Sequence, residues 1–197
     1  MLRRDGAKLG LNKPVHVDML RIDGSGFTVI NSLIANYYGD GEADLVIWPV
    51  SAGDYGKEML AHPNETSDTI WKSIHQELRA SQKLLASQHT RLLLVVIPQG
   101  EQISQLERGP RIEETGAFAY DVPTVFQAAQ DMENQIAASG VPTLKLARAM
   151  QAFEDSGSRY PLYNAWDYHL STQGSTWVGT RIYEELQRWR PWSSDSP

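Results

Sequence analysis

Cysteine is absent from all 197 residues. That excludes a disulfide framework and any thiolate metal site, and it leaves the redox compartment undetermined. Long apolar runs are missing too. No stretch approaches a membrane span, and the opening MLRRDGAKLGLNK lacks the apolar centre of a signal peptide. A soluble chain with no membrane insertion is therefore expected. Basic residues are the minority: 18 Lys and Arg stand against 24 Asp and Glu, a formal charge of −6. An acidic balance of that size argues against nucleic acid or an anionic membrane as the main partner. No G-x-x-x-x-G-K-[ST] phosphate loop occurs, and no G-x-G-x-x-G follows a strand. Histidine pairs at the H-x-x-x-H or H-E-x-x-H spacing are also missing, so a protein-built zinc site is not expected. The acidic GDGEAD at 39–44 lacks calcium-loop spacing and reads as a turn.

What is present reads as one globular domain. A hydrophobic fraction of 41% on 197 residues suffices for a real core. Residues 1–14 read as a basic, extended lead-in, 15–190 as the domain and 191–197 as a polar tail. The period-2 stretch His16–Ile22 carries Asp18 and Arg21 on opposite faces, which marks an edge strand. The Asp23-Gly24-Ser25-Gly26 turn follows, then a helix with Ile30, Leu33, Ile34 and Tyr37 inward. Asp44–Val50 is a second strand, with Pro49 removing one ladder donor, and residues 51–56 are read as its loop. Thr66 or Ser67 caps a long helix with Ile70, Ile74, Leu78 and Leu85 inward. On that helix His75 reads as a solvated residue. The uninterrupted run Arg91–Ile97, closed by Pro98, is the clearest buried parallel strand.

A loop over about 99–119, long enough to roof a site, comes next. Then come a helix over 122–139 stopped by Gly140, a short strand over 141–146 and a helix of about ten residues from Ala147. Strands alternating with helices predict a parallel α/β sheet with right-handed crossovers and ligands at its carboxyl ends. The turn at 23–26 and the loops at 51–56 and 163–173 all fall on that rim. Six Trp and eight Tyr would suit stacking on sugar rings, although core packing explains most aromatics.

The most informative stretch is YNAWDYHLSTQGSTWVGTRIYEELQRW, residues 163–189. It sets Asp167 two positions before His169, ahead of a helix with Val178, Ile182, Leu186 and Trp189 on one face. Ser171 or Thr172 supplies the N-cap. An imidazole on a short loop, anchored by the helix after it, suits a general base.

The string D-x-H-L-S-x-x-G, running from Asp167 to Gly174, resembles the final motif of the SGNH (GDSL-type) hydrolase superfamily. Its shortened acid-to-histidine spacing looks closest to the branch acting on acyl groups of sugars, including alginate O-acetylation proteins. The resemblance spans about Val15 to Trp189, and this last motif is its specific part. It implies a three-layer α/β/α, flavodoxin-like sheet of four to five strands, either complete or short of one. The implied activity is a serine esterase or O-acyltransferase that needs no cofactor and takes a carbohydrate ester as substrate. His169 would be the general base and Asp167 its orienting partner. Ser51–Gly56 is similar to the family's G-x-N-D motif, with Asp54 matching and Gly53 in place of the amide-bearing Asn. Gly53 would then offer only a backbone N–H to the oxyanion.

Gly24–Thr28 fits the family in two ways. In one, Ser25 is the nucleophile. In the other, Gly26 donates its backbone N–H to the oxyanion and the G-D-S motif is missing from the chain. The short distance from Ser25 to Asp54 and the polarity of His16–Ile22 favour the second, while an unbroken sheet favours the first. An inactive, truncated or degenerate carbohydrate-binding domain is the alternative to the enzyme. A flavodoxin-like domain of other function is the third reading.

Overall fold

The structure is a computed structural model, and it describes residues 27–38, 43–103, 122–157, 161–164 and 169–190. The proposed strand His16–Ile22, the turn with Ser25 and Gly26, Asp167, the lead-in 1–14 and the tail 191–197 lie outside the described residues. In chain order the elements are α1 (Phe27–Tyr38), β1 (Leu45–Ser51), α2 (Ala52–Ala61), α3 (Ser67–Ser87), β2 (Arg91–Ile97) and α4 (Gly100–Ile103). They continue with α5 (Val122–Ala138), β3 (Thr143–Lys145), α6 (Ala147–Asp155) and α7 (Thr172–Trp189).

The described strands form a small open parallel sheet of three, in the order β1-β2-β3. β1 pairs with β2 from Leu45 opposite Arg91 to Ser51 opposite Ile97, and β3 joins through Leu94 opposite Thr143. Because all three run the same way, Ser51, Ile97 and Lys145 end on one rim. β2 sits in the middle, which explains its continuous apolar run: Leu92, Leu94 and Val96 enter one core, and Leu93 and Val95 the other. The first core is closed by Phe27 and Ile34 of α1, by Ile70, Ile74, Leu78 and Leu85 of α3, and by Met132 and Ile136 of α5. Met150 of α6 and Trp177, Val178 and Leu186 of α7 close the second. Helices thus cover both faces of the sheet, as α/β alternation requires.

Three expectations need correction. Residues 51–56 are not a loop, because α2 starts directly after β1. The reason is local: Asp54, at the third helical position, accepts from the Ser51 backbone N–H (2.7 Å) and hydroxyl (3.0 Å). That carboxylate reaching back over the junction satisfies an N-terminal donor and lets a helix containing Gly53 and Gly56 begin. Tyr37 is not inward but 57% exposed, while Phe27 is the fully buried aromatic of α1, its ring 5.8 Å from that of Trp48. His75 is only in part a solvated residue. Its Nε2 lies 2.7 Å from the carbonyl oxygen of Gln135, and it is half-buried beside Trp71. A carbonyl only accepts, so Nε2 carries the proton and ties α3 to α5. A fourth difference is smaller: the stretch read as a long loop begins with the helical turn α4.

One buried acid sets the β3–α6 junction. Leu146, the N-cap of α6, has no side-chain oxygen to offer. Glu133 of α5 supplies one instead, accepting from the N–H groups of Ala147 (2.6 Å) and Leu146. Burial pushes its carboxyl above the usual range, against the opposing pull of those two N–H groups and of Lys145. A raised folded-state value means that the native state holds the proton more tightly than the unfolded chain. Its stabilising contribution is therefore full below the ordinary carboxylate range and is lost as pH rises through the folded value. The stability of wild type relative to Glu133→Gln should fall over that window and then level off, as measured by denaturant melts across pH. A gap that does not change with pH would contradict the assignment. Glu133→Ala, which leaves buried donors unpaired, should be about 1–3 kcal/mol less stable than Glu133→Gln, a difference that does not change with pH.

Candidate functional site

The carboxyl ends of β1 and β2 carry the groups that matter. At the end of β1, the Ser51–Asp54 junction presents Gly53 as the second residue of α2. A backbone N–H in that position has no intrahelical acceptor. Asp54 is committed to the junction itself, so its carboxylate holds the turn in shape. At the end of β2, Pro98 and Gln99 lead into α4, and the Gln99 N–H donates to the Gln102 Oε1 at 2.8 Å.

His169 reaches this rim through a small hairpin. Tyr163 and Leu170 form an isolated antiparallel bridge, and the Asn164 N–H donates to the His169 carbonyl at 2.9 Å. The hairpin is fixed to the sheet by Tyr163, which is 2% exposed and donates its hydroxyl to the Pro98 carbonyl oxygen. The same ring packs so closely on Gly100 that a Cβ there would stand 3.1 Å from Cγ. Tyr163 thus grips β2 just past its carboxyl end, on both sides of Gln99. His169 is exposed, one residue from the bridge.

α7 holds the hairpin from behind. Ser171, its N-cap, accepts from the Gly174 N–H at 3.0 Å and donates its hydroxyl to the Pro161 carbonyl at 2.7 Å. Its own N–H donates to the Leu162 carbonyl at 2.8 Å. The helix can come this near because residue 174 is glycine: a Cβ there would lie 1.9 Å from the Leu162 oxygen. The D-x-H-L-S-x-x-G string therefore has a packing explanation for its serine and glycine, whatever its histidine does.

The structure brings Gly53, Asp54 and the His169 hairpin to one end of the sheet. Ser25, Gly26 and Asp167 lie outside the described residues. Gln99 is the rim residue that sequence reading passed over, and it links the two halves. Its Nε2 lies 3.8 Å from where a Cβ on Gly53 would sit, while its backbone is flanked by the two contacts of Tyr163. The usable signal was its position directly after a buried strand closed by proline. Among the described residues no group of three His, Asp or Glu stands together to hold a metal ion. None of their helices is long and apolar enough to cross a membrane. Trp48, Trp71 and Trp177 are buried core residues, which removes them from any sugar-stacking surface.

Together these features define an α/β domain with a small parallel sheet and a polar rim at its strand ends. No family model, no curated protein and no solved structure matches the chain.

Gly174→Ala tests how the hairpin is held. Its added methyl must push the Leu162 backbone away, and overpacking of this kind costs about 1–3 kcal/mol. A lowered melting temperature is expected, together with faster amide exchange at Ser171 and Asn164. Unchanged exchange at those two amides would show that the close approach does not hold the hairpin.

Proposed function

We propose that this chain is an SGNH-type serine esterase or O-acyltransferase acting on ester-linked acyl groups, acetyl in the first instance, carried by a carbohydrate. The observation that carries the proposal is the Tyr163 tether. It anchors the loop bearing His169 at the carboxyl end of β2, beside the Ser51–Asp54 junction of β1. Open parallel sheets bind their ligands at that end. The Asp-x-His string, the alternation of strands and helices and the start of α1 at Phe27, two residues past Ser25, add support. The proposal includes a sheet of four to five strands, one of them drawn from His16–Ile22.

In the proposed reaction the Ser25 oxygen attacks the acyl carbon while His169 takes the hydroxyl proton. Asp167 fixes the tautomer and direction of the imidazole. The backbone N–H groups of Gly26 and Gly53 receive the carbonyl oxygen as it gains charge. Asp54 serves by keeping Gly53 in place. Collapse of the tetrahedral intermediate breaks the ester bond, and His169 returns its proton to the departing sugar oxygen. Water or an acceptor hydroxyl then takes the acyl group from Ser25 by the same steps in reverse.

Hydrolysis of p-nitrophenyl acetate by wild type, Ser25→Ala, His169→Ala and Asp167→Asn tests the proposal. The serine and histidine variants should each lose at least about 10³-fold in kcat/KM, and the Asp167 variant somewhat less. Loss in His169→Ala alone would place the nucleophile elsewhere. No turnover by wild type would leave a binding domain.

A further inference from the structure

The geometry points to Gln99 as a side-chain donor to the acyl oxygen at this rim, doing from β2 what Gly53 cannot do from α2. The inference rests on the esterase reading and adds to it a residue that no part of that reading uses.

Three observations carry it. First, Nε2 of Gln99 lies 3.8 Å from the position of a Cβ on Gly53, an ordinary contact distance, so this amide stands beside the start of α2. Second, that amide makes no hydrogen bond to any described residue, although the side chain is half-buried. A partly exposed amide that no described residue occupies has its donors available to a bound molecule. Third, the backbone of Gln99 is held on every side. Its N–H is bonded to Gln102, the carbonyl of Pro98 takes the Tyr163 hydroxyl, and Gly100 lies under the Tyr163 ring. Gln102 is itself buried, with 9% exposure, so this support is part of the core. A fixed backbone sets the point from which the side chain reaches the rim, and a donor aimed at a developing charge starts from such a point.

The side chain also stands between the two halves of the site. Its amide reaches the β1–α2 junction, and its neighbours carry the hairpin of His169. A carbonyl oxygen received at Gly53 would have Nε2 of Gln99 as a neighbour. The ligand chemistry is that of an ester carbonyl becoming an oxyanion, and no charge on the resting substrate is needed.

The test compares p-nitrophenyl acetate turnover by wild type, His169→Ala, Gln99→Ala, Gln99→Asn and Gln99→Glu, each checked for an unchanged melting temperature. Loss of one such donor typically lowers kcat by roughly 10²-fold. Gln99→Ala should show a loss of that order with KM little changed. Gln99→Glu, the same shape with a negative charge, should lose as much or more, and Gln99→Asn should recover part of the rate. An active wild type silenced by His169→Ala, with Gln99→Ala and Gln99→Glu at full rate, would overturn the role of Gln99 and leave the esterase intact. An inactive wild type, or a His169→Ala variant at full rate, would overturn the esterase reading and this inference with it.

Discussion

The contact on which the rest depends is the grip of Tyr163 on the end of β2. One buried aromatic side chain lies close against Gly100 and hands its hydroxyl to the carbonyl of Pro98. Proline fixes only its own φ and offers no ladder donor, so the bond from Tyr163 is what engages its carbonyl at the sheet's rim. The described residues 161–164 and the start of α7 are placed relative to that point. The bridge from Tyr163 to Leu170 sets the hairpin, and Ser171 and Gly174 press the first turn of α7 against its base. Without the tether, the loop of His169 would be an ordinary connection between two helices on one face of a sheet.

The sheet supplies rigidity and the junctions supply chemistry. Burial of β2 on both faces makes its carboxyl end a fixed reference. Two acids then serve as caps. Asp54 holds the turn from β1 into α2, and Glu133 holds the turn from β3 into α6. Each neutralises helix donors that would otherwise need water, and each thereby fixes how a helix leaves the rim. Glu133 does so from within the core, where desolvation outweighs the help of two N–H groups.

Much of this was legible in the residues. The apolar run of β2, the inner face of α3 and the Ser171 cap each follow from patterns that the fold leaves undisturbed. What stayed hidden was set by contacts between distant segments. The β1–α2 junction contains two glycines and reads as a loop until Asp54 is seen folding back on Ser51. His75 reads as a surface residue because nothing in its helix announces the Gln135 carbonyl it meets sixty residues away. Gln99 opens a stretch without helical or strand period, and its place between two junctions exists only once the strands are side by side. For the site itself, the string around His169 explained both more and less than expected. Its serine and glycine are accounted for by packing, and its histidine is left exposed beside the bridge.

The tether is most directly tested by the imidazole resonances of Tyr163→Phe. Removing one hydroxyl leaves the ring in place and frees the Pro98 carbonyl. The account predicts that the His169 ring signals and the Gln99 and Gly100 amides shift together, while the rings of His62 and His75 keep their positions. A His169 signal identical to wild type, in a protein of unchanged fold, would contradict it.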